Sequence, residues 1–188
     1  MKVDLLEEGN FGDAIQGVDG VFHIASPKTP IDPCINGTLN VLNSCNKAPT
    51  LKRLVLTSSC FSIRYREDAQ QPEECGIDLV VVNPSFVVGP LLAPRSTKTL
   101  LIILGMVKGM LGECPNGRFG FFHIEEVVAA HILVMEEQKA SVCDSQEGED
   151  IPYILDTDKI TQLGHPPLKS LTQMFDDCIR SFQEKGFL

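Results

Sequence analysis

The chain has 188 residues, enough for one domain with a buried core. Its hydrophobic fraction of 43% is typical of a globular protein and excludes a disordered one. The formal net charge of −9 argues against a nucleic-acid partner, because contact with phosphates needs a basic surface.

Membrane insertion, export and metal binding find no support in the sequence. A membrane span needs about 20 apolar residues, and the best candidate, residues 99–107, lies between Lys98 and Lys108. The first residues carry no apolar signal region. The seven cysteines have no Cys-x-x-Cys pair, and the four histidines are not at metal-ligand spacing. We therefore expect a cytoplasmic protein with reduced thiols and no metal site.

The predicted elements of the first half alternate between strand and helix. Strands are predicted at residues 1–6, 18–27, 52–59 and 77–82. Helices are predicted at residues 7–17 and 33–46, the second because its apolar residues recur on one face. This alternation is typical of a doubly wound parallel sheet.

Two more helices are predicted further on, at residues 123–135 and after residue 170. His123 is interpreted as a structural histidine at the start of the first of these. Ser170 and Gln173 form a capping box for the second, and Gly186 is placed to end it. The apolar face of that last helix is predicted to be core, and it consists of Leu171, Met174, Phe175, Cys178, Ile179 and Phe182.

The stretch at residues 77–90 is the expected centre of the sheet. Its first six residues are mostly β-branched or apolar, as in a parallel strand covered on both faces. Pro84 ends the strand because proline cannot donate to a sheet ladder. Residues 85–89 would then lie just past the carboxyl end of a central strand, where open α/β sheets bind ligands. The alternative, that this stretch is only core and turn, stays open at this point.

Several blocks together resemble the extended short-chain dehydrogenase/reductases, a group that also includes NAD-dependent epimerases and dehydratases. The blocks are residues 3–9, 19–27, 37–42, 52–59 and 83–92. Within that family they resemble the plant branch of dihydroflavonol reductases and cinnamoyl-CoA reductases. The tail, at residues 159–164, 174–179 and 184–187, looks most like tetraketide α-pyrone reductases, which take part in making sporopollenin.

The resemblance implies an α/β fold with an incomplete NAD(P)-binding, Rossmann-type parallel sheet. The whole chain would be a single domain, with a partial dinucleotide-binding sheet at residues 1–90. Residues 91–188 would form a small substrate-side and C-terminal helical region. The implied activity is NADP-dependent reduction of a carbonyl on a polyketide or phenylpropanoid-type small molecule.

Individual residues acquire roles from the same resemblance. Ser59 would be the catalytic serine that hydrogen-bonds the substrate carbonyl, although Ser58 and Ser59 could simply end a strand. Thr99 would contact NADP, and the substrate pocket would begin at residues 86–99. The other NADP contacts would be Asp4 and Leu5 near the adenine, Ile24, Ala25 and Ser26 near the ribose and phosphates, and Pro84 and Val87 near the nicotinamide.

The chain departs from the family at its proton donor. Reduction in this family uses a tyrosine to protonate the developing alkoxide, with a lysine four residues later that lowers the tyrosine pKa and holds the ribose. Tyr65 is followed at that position by Ala69, and Tyr153 by Thr157. We therefore expect the helix that carries this pair in relatives to be missing from residues 60–76.

Two further gaps are expected, one for the Gly-x-x-Gly-x-x-Gly unit of relatives and one near residues 140–149. The glycines at 105, 109 and 112 have the wrong spacing to replace that unit. Without the first strand of the family, residues 21–24 would present an apolar sheet edge. A truncated product, a mis-spliced product and a faulty gene prediction all explain such gaps.

Three functions remain under consideration. The first is the NADP-dependent reductase, with impaired cofactor binding and little or no turnover. The second is a non-catalytic relative that pairs with a full-length reductase paralogue or is inert. The third, an epimerase or dehydratase of nucleotide sugars, needs the same missing tyrosine and is disfavoured by the tail.

Overall fold

The structure, a computed structural model, describes residues 1–25, 31–60, 77–93, 97–110, 112, 119–137 and 157–188. The chain forms two compact units. Unit 1 comprises Met1–Asn83 and Val134–Cys143, and unit 2 comprises Pro84–Leu133 and Asp144–Leu188. The predicted division of a single domain at residue 90 stays a prediction.

Unit 1 is built on a three-stranded parallel sheet. Its elements in chain order are α1 (Gly12–Ile15), β1 (Gly20–His23), α2 (Ile31–Asn46), β2 (Arg53–Thr57) and β3 (Asp78–Val82). The strand order is β1-β2-β3, so β2 is central and β1 lies at an edge of the described sheet. The parallel sheet predicted from the strand-helix alternation is confirmed.

The core of unit 1 lies between this sheet and its helices. β2 is buried at its first three residues, as expected of a strand flanked by two others. The buried cluster consists of Ile15, Val41, Cys45, Ala48 and Leu54. Burial raises the pKa of the Cys45 thiol.

Unit 2 contains a second, two-stranded parallel sheet with helices against it. Its elements are β4 (Phe86–Val88), α3 (Lys98–Val107), β5 (Phe121–His123), most of α4 (Ile124–Glu136), α5 (Asp158–Gln162) and α6 (Leu171–Glu184). β4 pairs with β5 in the register Phe86 to Phe121. The core joins β4, α3 and α6 through Val88, Leu91, Leu100, Ile103, Leu104, Met174, Cys178 and Phe182.

The predictions for α2 and α6 are confirmed. The capping box at Ser170 is present, with Gln173 N–H donating to the Ser170 hydroxyl and the Gln173 side chain accepting from Ser170 N–H. Gly186 ends the helix with φ 72°, a conformation that glycine adopts without strain. Gly105 lies inside α3, which agrees with rejecting it as part of a phosphate-binding turn.

The strand predicted at residues 1–6 is wrong. Asp4 instead begins a turn, in which its side chain accepts from Leu6 N–H at 2.9 Å and its carbonyl accepts from Glu7 N–H. A strand exists only with a neighbour to pair with, and local sequence cannot supply one. The helix predicted at residues 7–17 shrinks to Gly12–Ile15, because Gly9 and Gly17 on either side have φ 77° and 76°.

His123 is the last residue of β5 and not the first residue of a helix, so that part of the prediction is wrong. The helix itself follows as α4, from Ile124. Pairing between β4 and β5 gives residues 121–123 strand partners that the periodicity of the following helix does not reveal. Residues 86–88, expected just past the carboxyl end of the strand at residues 77–82, form the separate strand β4 for the same reason.

Candidate functional site

The candidate site begins at the carboxyl edge of the sheet in unit 1. Because all three strands are parallel, their carboxyl ends meet at one edge. His23 pairs with Leu56, and Thr57 pairs with Val82. Ser58 N–H donates to the Val82 carbonyl at 2.9 Å, which continues this alignment past the end of β2.

Two of the predicted site residues meet at this edge. Ile24 follows β1 directly and its side chain is 62% exposed, while Ser59 follows β2 by two residues and is half-buried. Ala25, next along the chain, is exposed. Ser26 lies outside the described residues. The edge therefore carries an exposed apolar residue after β1 and a half-buried hydroxyl residue after the neighbouring strand β2.

A buried histidine lies immediately before this edge. Nε2 of His23 lies 3.4 Å from the hydroxyl oxygen of Thr38. That hydroxyl donates to the Cys34 carbonyl. The Thr38 oxygen can therefore accept a hydrogen bond from the N–H at Nε2 of His23. Burial lowers the pKa of His23, so the ring is uncharged at neutral pH.

Leu5 is held on α2 in unit 1. Its carbonyl accepts from the Asn40 side chain at 3.0 Å. Its side chain covers Gly37, where a Cβ atom would come within 2.6 Å of the Leu5 side chain. The neighbouring Asp4 uses its carboxylate in the N-terminal turn. Their role beside an adenine stays a prediction.

The other predicted cofactor contacts are in unit 2. Pro84 precedes β4, and Val87 lies in β4 opposite Phe122 of β5. Thr99 lies in the first turn of α3, next to Leu100, which belongs to the same buried cluster as Val88 of β4. All three predicted residues are partly accessible. Their roles toward a nicotinamide cofactor stay predictions.

A buried ion pair in unit 1, which sequence reasoning missed, lies at the opposite end of β2. Arg53 donates from Nε to Asp78 Oδ2 at 2.7 Å, and its Nη1 donates to the carbonyls of Val134 and Glu137, both at 2.6 Å. The guanidinium thus neutralises an acid in β3 and caps the last turn of α4. A charged residue in each of two apolar strands was the signal available in the sequence.

A second missed network, in unit 2, surrounds the buried ring of His123. Its Nε2 is 3.3 Å from Asp177 Oδ2, and the Lys169 ammonium donates to Asp177 at 3.1 Å and to Glu125 at 2.8 Å. The bond from Lys169 holds the pKa values of Asp177 and Glu125 below their ordinary ranges. Glu125 and its hydrogen bond raise the pKa of Lys169.

The carboxylate of Glu126 completes this network with backbone contacts. It accepts from the N–H of His123 at 2.8 Å and from the N–H of Lys169. The network therefore joins β5, the first turn of α4 and the segment before α6 into one structure. Its members are far apart in sequence, so no local motif announces it.

Neither a metal site nor a membrane helix is found in the part of the chain that the structure describes. In those ranges no group of three or more His, Cys, Asp or Glu side chains is arranged so that it could hold a metal ion. None of the helices in those same ranges is both long enough and apolar enough to span a bilayer.

No protein-family model matches the chain. Two curated proteins of Arabidopsis thaliana are similar over its whole length. Tetraketide α-pyrone reductase 2 is 44% identical, with 83% of its own length covered, and tetraketide α-pyrone reductase 1 is 36% identical, with 80% covered. Among solved structures, vestitone reductase from alfalfa superposes with a TM-score of 0.75 at 23% identity, covering 99% of this chain and 82% of that one.

The match to tetraketide α-pyrone reductase 2 also reveals internal gaps. It includes all of this chain and extends over 265 positions, which is 77 more than the 188 residues available. Those 77 positions of the relative have no counterpart here and fall between matched residues. The expectation of internal gaps is thereby supported.

Proposed function

We propose that this chain, which belongs to the plant tetraketide α-pyrone reductases of the extended short-chain dehydrogenase/reductase family, has the scaffold of an NADP-dependent carbonyl reductase. Its relatives reduce a polyketide-type substrate, as their names state. The observation that carries the proposal is the meeting of Ser59 and Ile24 at the carboxyl edge of a parallel sheet. We also propose the corresponding role in sporopollenin precursor synthesis, in the cytoplasm.

The residues present fit the cofactor only in part. In unit 1 the exposed edge after β1 suits a flat, partly apolar ligand, and in unit 2 the accessible residues Pro84 and Val87 are those expected near the nicotinamide. The Tyr-x-x-x-Lys pair, whose lysine holds the ribose in the family, is absent from the sequence. We therefore propose that NADP binds weakly, and we derive no catalytic step through it.

The absence of the Tyr-x-x-x-Lys pair also determines the activity that we expect of the polypeptide. Ser59 can donate a hydrogen bond to a carbonyl oxygen, but a serine hydroxyl is a much weaker acid than the lysine-assisted tyrosine of the family and gives little driving force for proton transfer to the alkoxide that hydride transfer leaves. A positioned general acid is worth about 10²–10⁴ in rate. We expect turnover lower than that of a full-length relative by at least this factor.

One experiment tests both statements. The purified chain is incubated with NADPH and a tetraketide α-pyrone beside the Ser59→Ala variant, and cofactor oxidation is followed by absorbance. We expect rates near the buffer background for both proteins. Steady oxidation by the wild-type chain that Ser59→Ala abolishes would show that the site reduces the carbonyl without the Tyr-x-x-x-Lys pair, and our expectation of inactivity would be wrong.

A second function, an interaction module, is favoured by the surface of β1. Phe22 of β1 is 45% exposed and Ile24, directly after β1, is 62% exposed, and β1 lies at an edge of the described sheet. Exposed apolar edges pair with other chains. We expect that a full-length reductase of this family co-purifies with the chain and that Ile24→Lys weakens the complex. If neither the wild-type chain nor the Ile24→Lys variant retains the full-length reductase, the function as an interaction module is excluded.

A further inference from the structure

The turn that follows β4 is held by side chains of α6. Gly89 has φ 127° and is buried. Its N–H donates to the Cys178 sulfur at 2.9 Å, and the Cys178 thiol donates back to the Gly89 carbonyl at 3.3 Å. Two residues on, Leu91 N–H donates to the Ser181 hydroxyl at 2.9 Å. Cys178 is 0% and Ser181 4% exposed, so water does not compete for these contacts.

β5 encloses the same turn from another side. A Cβ atom at Gly89 would lie 2.8 Å from Nε2 of His123, the residue opposite Val88. That ring is itself held by Asp177, the neighbour of Cys178 in α6. The peptide groups of the turn are therefore fixed in direction by hydrogen bonds and in position by close packing.

β4 needs such support because it is short. It has three residues and pairs with a strand of three residues, and a ladder of that length is weak by itself. Apolar packing of Val88 fixes how far β4 lies from α6 but not the rotation of its peptides. The hydrogen bonds from Cys178 and Ser181 fix the rotational orientation of these peptide groups, because hydrogen bonds are directional.

We propose that Cys178 and Ser181 are positioning residues for the cofactor-side strand. By holding residues 89–91 they set the orientation of β4 and hence of Val87, with Pro84 just before it. This inference rests on the proposed function, in which Val87 and Pro84 face the nicotinamide. Neither α6 residue touches the cofactor in this proposal, and both act through the backbone of the turn.

The test compares three variants with the wild-type chain. Cys178→Ala and Ser181→Ala remove the two side-chain partners, whereas Cys178→Ser keeps a group that accepts and donates. Ser170→Ala is the matched control, because it removes the cap of α6 without touching the turn. Amide hydrogen exchange, read by NMR at Val88, Gly89 and Leu91, reports the turn directly. Titration with NADPH reports the cofactor side.

We expect exchange at Leu91 to rise about tenfold or more in Ser181→Ala, since its amide loses a buried acceptor. NADPH affinity should fall severalfold in Cys178→Ala and recover in Cys178→Ser. Ser170→Ala, despite a lower melting temperature, should bind NADPH as the wild-type chain does.

Two outcomes overturn the positioning role. Exchange at Gly89 and Leu91 that is unchanged in both alanine variants shows that the contacts do not hold the turn. Equal losses of NADPH affinity in Cys178→Ala and Ser170→Ala show a general effect of stability. If the wild-type chain gives no saturable NADPH titration, the proposed cofactor is wrong, and hydrogen exchange still decides whether α6 holds β4.

Discussion

Arg53 and Asp78 face each other across β2 and β3, with Asp78 Oδ2 2.7 Å from Nε and 2.6 Å from Nη2 of Arg53. The arginine side chain is 8% exposed, so this partner and the carbonyls at the end of α4 take the place of water around its charge. The pair lies at the amino end of the sheet, away from the edge that carries Ser59. It is therefore a determinant of stability rather than of binding.

Removing the acid should destabilise unit 1. Asp78→Ala leaves a buried guanidinium without its counter-charge, and we expect a loss of about 2 kcal/mol, below the full value for a buried pair because Asp78 is 31% exposed. Lys52→Ala is the control, since the ion pair of Lys52 with Asp19 is at the surface and should contribute nothing measurable. Urea unfolding followed by circular dichroism gives both values, and equal losses would contradict the prediction.

Gly89 should tolerate no side chain. Gly89→Ala imposes a strained φ and brings a Cβ atom against the His123 ring, so we expect a loss of about 3 kcal/mol in the free energy of unfolding. Gly109→Ala provides the comparison, because Gly109 has φ 66° but no atom within 4 Å of the place that a Cβ atom would take. Its loss should stay near 1 kcal/mol. The difference between the two variants in thermal unfolding measures the contact with His123.

The Ser170 cap of α6 should contribute about 1 kcal/mol to the free energy of unfolding. Ser170→Ala exposes Gln173 N–H without a partner at the first turn, a change that costs about this much in other helices. Ser170→Thr keeps a hydroxyl at the same place and should restore most of the loss. Chemical denaturation of the three proteins checks this, and an alanine variant as stable as the threonine variant would refute it.

Lys169 should make unit 2 sensitive to acid. Its hydrogen bond depresses the pKa of Asp177 in the folded chain, so the folded state binds that proton less readily than the unfolded state. The stabilisation is present above the ordinary aspartate value of 3.8 and is lost as the pH falls further through the depressed pKa. Glu125 acts in the same direction from its ordinary value of 4.5.

Lys169→Met should flatten this dependence. Urea unfolding of the wild-type chain at a series of pH values from about 6 down to about 3 should show a declining free energy. In the variant the decline should be smaller, whereas Lys108→Met, at an exposed lysine after α3, should leave it unchanged. Parallel curves for wild type and Lys169→Met would show that Lys169 does not lower the pKa values of Asp177 and Glu125.

The sequence predicted the elements whose cause is local. α6 carries its periodic apolar face, its cap and its terminating glycine within one stretch, so every signal agrees. β2 was equally clear because a buried parallel strand is a short apolar run. The family blocks then predicted which strand ends carry the candidate site, a role that stays a prediction, and in the parallel register the strands that precede Ile24 and Ser59 end at one edge.

What the sequence did not predict depends on partners distant in the chain. Residues 1–6 have the composition of a strand but take up a turn, because pairing is not a property of one segment. β4 and β5 become strands through each other. The Lys169 network joins residues of α4 and α6 that are far apart in the sequence. For the ion pair of Arg53 with Asp78, the one signal in the sequence was a charged residue within an apolar strand.

Among the described residues each unit encloses one thiol in its core, Cys45 in unit 1 and Cys178 in unit 2. Because both are at most 1% exposed, and burial also raises the pKa of each thiol, neither should react with an alkylating reagent until its own unit opens. Labelling followed by peptide mapping would thus give a separate opening rate for each half of one molecule. Cys34 and Cys60, which are partly accessible, supply the internal reference for reagent that reaches the closed protein.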